Sequence, residues 1–305
     1  MLKPCEQRRR SPFHLRRRES GTNTMTMLTN TKGIGGLLPE DYAQLIVQPV
    51  TRDSAAAQAS TVVTTASHEL HFPVISDDPS AAWTAEGAEI DPSDAIPDEI
   101  VAIPAKVAGL SVVTRELAND SSPAATQIVG DGLARSIVNR VDGAFFGKQG
   151  ANLNQPKGLE DLVGVGTVTA PTAWADLDPF AEAISQAETV GATVNTWVAN
   201  PADALALAKL KDEADSNRPL LGTDPTQPTR RLILGIPLLV SPAVTAGTVW
   251  GIPKSRAFVV IREGAVLEID KSVYFTSDRV AARAIMRVTF AFPHAAAIQK
   301  IKLSA

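Results

Sequence analysis

The clearest hydrophobic rhythm in the chain runs from residue 123 to 146. Val129, Leu133, Ile137, Val141 and Phe145 recur every four residues, and Ile128 and Val138 widen the stripe. That spacing predicts a helix with one buried face. Ser122 suits its cap, Pro123 its first position and Gly147 its stop. About 24 residues at 1.5 Å each predict a rod of roughly 36 Å. Shorter helices are predicted at "LLPEDYAQLIVQPV" (37–50), at "DLDPFAEAISQAETVG" with Asp178 as cap, and at "PADALALAKLKDEA" from Pro201.

Period-two alternation marks the strands. It is clear in "HELHFPVI" and returns in "IVAIPAKVAGLSVVTREL" (100–117). "SAAAQASTVVTTASHELHFPVI" as a whole has strand composition, "TWVAN" reads as a short buried strand, and "LILGIPLLVSPAV" as an apolar strand broken at Gly235-Ile236-Pro237. "AFVVI" and "AVLEI" predict a hairpin turning at "REG", followed by strands in "RVAARAIMRVTFAF" and "AAAIQKIKL". Helices and strands alternate without a βαβ rhythm, so the predicted fold class is α+β. The 305 residues allow one large or two ordinary domains, and the loop-rich "GKQGANLNQPKGLEDLVGVGTVTAPTAW" marks a boundary near residue 150.

One stretch fits neither pattern. Residues 75–104, "ISDDPSAAWTAEGAEIDPSDAIPDEIVAIP", carry Asp77, Asp78, Glu86, Glu89, Asp91, Asp94, Asp98 and Glu99, several prolines and no basic residue. A hairpin built around such a tip is marginal in water alone. Trp83, Ile90 and Ile96 need cover, and large exposed apolar groups usually mark contact surfaces. The expected partner is another chain, with Trp83, Glu86, Glu89 and Asp94 as contact residues. Basic counterparts are Arg135 and Arg140 on the long helix, and Arg279, Arg283 and Arg287, which sit four apart and share one face of a strand. A solvated charged face is the plain alternative.

Charge sharpens this division. The net charge is −4, but residues 1–24 carry seven basic groups against Glu6 and Glu19, a local +5 on a body of −9. The basic tail reads as a flexible arm touching nucleic acid, or as sequence ahead of a true start at Met25 or Met27. Either way residues 1–36 are expected to be disordered and outside the fold.

Candidate chemistry is sparse. Cys5 is the single cysteine, which excludes an intramolecular disulfide framework and a Cys-based zinc site and fits a reducing cytoplasm. No apolar run approaches the roughly 20 residues of a membrane span, and no secretory signal is visible. His68 and His71 stand three apart, not at the spacing of HExxH, and His294 is expected as a hydrogen-bonded structural residue. G-x-S-x-G and P-loop patterns are missing, and "GVGTV" lacks the third glycine of a dinucleotide fingerprint. No catalytic, cofactor-binding or metal-binding residue is nominated, and the chain is not read as an enzyme.

"AAWTAEGAEI", "VVTRELANDS", "PKGL", "LILGIPLLVSPAV" and "RVAARAIMRVTFAFPHAAAIQKI" follow one another from about residue 37 to 305. Their order and spacing resemble the phage major capsid proteins of the Hong Kong 97 fold. The resemblance implies an N-terminal tail or arm (1–36), an N-arm and first peripheral segment (37–74), an extended loop (75–104) and a peripheral domain with a spine helix (105–150). An axial domain (151–255) and closing peripheral-domain strands (256–305) would complete the α+β fold. It implies a virion subunit, assembled in the host cytoplasm, that forms hexamers and pentamers and closes an icosahedral tailed-phage head around double-stranded DNA. Portal and scaffolding or cement proteins are the implied partners, with no cofactor and no membrane. Two departures matter. Residues 33–105 contain no lysine, so covalent cross-linking through the loop is not expected. Fewer than 40 residues precede the first apolar segment, which implies a separate scaffolding protein or none. An encapsulin-type compartment shell and an uncharacterised α+β enzyme are the alternatives.

Overall fold

The computed structural model of the chain describes residues 54–77, 83–84, 87, 96–116, 124–213, 216–221 and 231–304. The tail, the helix expected at 37–50 and the caps Ser122 and Pro123 lie outside the described residues. "SAAAQA", expected in a strand-like run, instead forms a short helix, α1 (Ala55–Ala59), with Ser54 as its cap. The long helix is α2 (Ala124–Phe146). Its core face is narrower than the every-four stripe. Ala134, Ile137, Val141, Ala144 and Phe145 are buried, Leu133 only partly, and Ile128 is 64% exposed. A step of four residues overshoots a 3.6-residue turn by about 40°, so an every-four row drifts off the core within a few turns.

β1 (Thr61–Thr64), β10 (Phe258–Tyr274), β11 (Arg279–Ala291) and β4 (Ala105–Thr114) form a four-stranded sheet in that order. β10, β11 and β4 run antiparallel, and β1 joins β10 in parallel. α2 packs on one face of this sheet, placing Ile137, Val141 and Phe145 in one core with Ala284, Met286 and Val288. The Phe145 ring lies 5.0 to 5.4 Å from those of Phe146, Phe290 and Phe292, an aromatic cluster at the end of the helix.

The second sheet has the order β5 (Gly166–Ala170), β12 (Gln299–Leu303), β9 (Thr248–Ile252), β6 (Thr196–Ala199), β8 (Ile236–Val240), β7 (Leu232–Ile233). "TWVA" is buried at every position, as a central strand covered on both faces must be. Helices α3 (Asp178–Thr189) and α4 (Pro201–Ala208) supply Phe180, Ala183, Ala204 and Leu207 to its core around Trp197 and Ile301. Asn200 caps α4, accepting from the Ala202 N–H at 3.0 Å and donating to the Val244 carbonyl at 2.7 Å. Buried Asp203 accepts from Trp174 Nε1 at 2.9 Å and from the Gly247 N–H at 2.8 Å.

Four expectations change. "REG" is no hairpin turn: β10 runs straight through it with register shifts on both sides of Glu263, and the chain reverses at Phe275–Ser277. "LILGIP" is a two-residue hairpin, since β7 and β8 pair antiparallel across Leu234-Gly235. The segment after residue 255 does not stay in one sheet, because β12 crosses to lie between β5 and β9. Finally, β6, α4 and β8 make one parallel β–α–β connection where none was expected.

Candidate contact surface

The acidic segment grows out of a two-stranded ribbon, β2 (Leu70–Asp77) and β3 (Ile96–Ala102), paired antiparallel with Leu70 opposite Ala102 and Val74 opposite Asp98. The run expected as one strand from 100 to 117 divides at Ile103-Pro104: β3 stays in the ribbon and β4 enters the four-stranded sheet. Among the described residues the ribbon is packed at its base. Leu70, Phe72 and Ala102 pack on Phe258, Val260 and Ala291, with the Phe72 and Phe258 rings 5.0 Å apart. On the opposite face His71 is exposed between two carboxylates, Nε2 lying 3.8 Å from Glu69 and Nδ1 hydrogen-bonding distance from Glu99. Phe72→Ala is expected to remove about 1–2 kcal/mol of this anchoring, a partly buried ring costing less than a core one. Limited proteolysis between residues 70 and 102 should then quicken roughly tenfold.

Farther out, Trp83 is fully exposed, and Gly87 takes a positive φ of 82°. Glu86, Glu89 and Asp94 lie outside the described residues. The arginines proposed as their counterparts divide into two groups. Arg283 pairs with Glu268 and Arg287 with Glu263 at 3.3 Å, and both pairs are direct cross-strand neighbours in the β10–β11 register. Arg135, Arg140 and Arg279 are exposed and make no ion pair among the described residues. β4, the edge strand beside β11, turns Lys106, Ala108, Leu110, Val112 and Thr114 to solvent, with Leu110 61% exposed. Val101 and Ile103 continue this apolar strip toward the ribbon. Exposed apolar groups on an edge strand are an association hazard unless something covers them.

Among the described residues no group of three or more His, Cys, Asp or Glu could hold a metal, and no helix is long and apolar enough to cross a membrane. His294 departs from expectation: its Nδ1 is buried without a hydrogen-bond partner among the described residues.

The sequence matches the phage capsid family over residues 35–303, nearly the whole chain. The chain belongs to the phage capsid family. No curated protein matches it. Among solved structures, one from Microbacterium phage Oxtober96 superposes with a TM-score of 0.68 at 19% identity, covering 82% of this chain and 91% of that one. One from Mycobacterium phage Cain also gives 0.68, at 17% identity over 83% and 90%. The capsid of a native GTA particle gives 0.63 at 19% identity over 81% and 89%. The architecture of this family member is therefore the Hong Kong 97-type α+β capsid fold, that of a structural protein of the virion shell.

Sequence reasoning missed three features of this surface. The Phe72–Phe258 clamp joins residues 186 positions apart and leaves no local signal. The in-chain partners of Arg283 and Arg287 depend on the β10–β11 register. The apolar edge at Leu110 and Val112 was visible as "GLSVV" but reads like any buried strand.

Proposed function

We propose that the chain is the repeating structural subunit of an icosahedral tailed-phage head, joining copies of itself in hexamers and pentamers around double-stranded DNA. The carrying observation is the ribbon: among the described residues it is seated at its base, and Trp83 is fully exposed. Such a limb gains its apolar cover only from a neighbour. The second sheet with α3 and α4 forms the axial domain, expected at 151–255, and takes in β12 as well; the first sheet with α2 forms the peripheral domain. The carboxylates of the loop, Glu86, Glu89 and Asp94 among them, meet Arg135, Arg140 and Arg279 of a neighbour, three cations with no ion pair among the described residues. Assembly takes place in the host cytoplasm beside portal and scaffolding or cement proteins.

Size-exclusion chromatography and negative-stain microscopy of the purified chain test the reading. Megadalton shells are expected; a monomer or dimer as the only species would overturn it, and shells filled with a cargo protein would favour a compartment instead. Within the shell, Glu86→Lys combined with Glu89→Lys should lower the yield of particles about tenfold or more, as expected when like charges replace an interfacial pair. Adding Arg135→Glu and Arg140→Glu should restore much of it. Failure of that rescue would remove these arginines from the contact.

A further inference from the structure

Two non-glycine residues among those described adopt a left-handed backbone, Leu234 at φ 51° and Asp278 at φ 48°. The second is readily understood. Aspartate tolerates this region, and Asp278 is secured by Arg115, whose Nη1 lies 3.3 Å from Oδ1 and whose N–H donates to the Asp278 carbonyl at 3.0 Å. Leu234 has no such excuse.

Leu234 and Gly235 are the two residues between β7 and β8, where Ile233 pairs with Ile236. Both have positive φ, 51° and 80°, the signature of a type I′ turn. That turn favours Asn-Gly or Asp-Gly, because a short polar side chain lightens the left-handed conformation, whereas a leucine there is strained. Among the described residues nothing offsets the strain. Leu234 remains 47% exposed, belongs to no core cluster, and stands at the tip of the strand that ends the six-stranded sheet. The turn is nevertheless held firmly: Ile233 and Leu238 on either side are buried, and the Leu238 N–H donates to the Arg231 carbonyl at 2.9 Å. The result is a rigid apolar knob projecting from the edge of the sheet. Strain that persists without local benefit points to a role outside the isolated subunit.

We propose that Leu234 is an assembly contact, packing against a second copy of this chain, and that the subunit gives up some of its own stability to present it. This rests on the shell-subunit reading and names one residue of the axial-domain interface. A second copy is the favoured occupant for two reasons. The chain belongs to the phage capsid family, and a head-to-tail contact, in which one patch meets a different patch of the next copy, closes a ring when repeated around a rotation axis.

The two roles make opposite demands on one residue, which gives the test its resolution. Leu234→Asn relieves the turn and removes the apolar knob. The unassembled variant should melt roughly 2–4 °C higher than the parent, the shift expected for a small gain in a protein of this size. The subunit concentration needed to form shells should meanwhile rise about tenfold or more, the effect of losing one buried anchor. An Asn variant that assembles at the parent's concentration overturns the proposal. A second measurement does not depend on stability. Cys5 is the only cysteine, so Leu234→Cys in a Cys5→Ser chain carries a single thiol. Maleimide should label it at least about tenfold more slowly in shells than in dissociated subunits, since interface cores exclude solvent. Equal rates overturn the proposal, and so does protection already present in the free subunit, which would assign the cover to the chain's own remaining residues. Absence of shells from the parent chain overturns both readings, whereas normal shells from the Asn variant overturn this one alone.

Discussion

Gly158→Ala is expected to destabilise the fold more than any other single substitution to alanine at a glycine. After α2 ends at Phe146 the chain loops out and returns to lie directly on the helix's last turn. A Cβ at position 158 would sit 2.2 Å from the Ala144 carbonyl oxygen, 2.3 Å from that of Gly147 and 2.8 Å from that of Phe145. All three are backbone atoms at the end of a buried helix, so no rotamer change relieves the overlap. The returning segment would have to move away, drawing the fully buried Leu159 from the core. It would also loosen Asp161, whose Oδ2 accepts from the Gln149 N–H at 2.6 Å and from the Gly158 N–H at 3.4 Å. Overpacking against a rigid backbone belongs with the severe single substitutions, about 4–5 kcal/mol or more. For a protein of this size that lowers the melting temperature by roughly 10 °C or more. Gly143→Ala is the natural control. It lies inside α2, its Cβ would meet nothing within 4 Å, and alanine should stabilise the helix by about 0.5–1 kcal/mol. Soluble yield and thermal melts of the two variants should therefore diverge in opposite directions. A Gly158→Ala protein melting within about 2 °C of the parent would show that the close approach does not exist.

That glycine stands in "PKGL", a motif the sequence displayed without saying what it was for. The difference between what was legible and what was not follows from range. α2, α3, β6 and β11 were readable because a helical stripe, a Pro-started turn or an apolar run is written in neighbouring residues. The partner of a strand is not. β12 reads as one more strand after β11, and only the fold inserts it between β5 and β9. A glycine in "REG" is equally compatible with a turn or with the irregular pairing found there. The contact surface divides in the same way. Proline, carboxylates and Trp83 set this stretch apart in the sequence, and the ribbon at its base is what the described residues show of it. The four-residue spacing of Arg279, Arg283 and Arg287 gave their common face. It could not reveal that Glu268 and Glu263 stand opposite two of them, whereas Arg279, with Arg135 and Arg140 on the helix, makes no ion pair among the described residues.

Asp142 is the least legible of the structural residues and should be among the least replaceable. It lies on α2, 88 positions from its main partner, and is buried at the first turn of α1. Ser54 Oγ donates to its Oδ1 at 2.5 Å, the Ala56 N–H to the same oxygen at 3.1 Å, and the Ala55 N–H to Oδ2 at 3.0 Å. The carboxylate thus caps a five-residue helix too short to persist unaided and ties it to the long one. Removing it in Asp142→Ala strands those donors in a dry site, an expected loss of about 3–5 kcal/mol. Asp142→Asn should cost less, about 1–3 kcal/mol, because its amide can replace one acceptor but turns an NH2 toward the Ala55 N–H. The pH dependence separates charge from shape. Burial raises the carboxyl's pKa above its ordinary value, and the bonds from Ser54, Ala56 and Ala55 only partly offset this. The native state therefore binds this proton at a higher pH than the unfolded chain does. The associated stability is fully present below the unfolded value of about 3.9 and is lost as pH rises through the folded value. Urea melts of the parent and Asp142→Asn should accordingly diverge as pH falls from about 7 toward 4, the parent gaining relative to a variant that cannot titrate. Parallel pH curves, or a loss below about 1 kcal/mol in Asp142→Ala, would mean that the buried carboxylate neither carries this proton nor holds α1 in place.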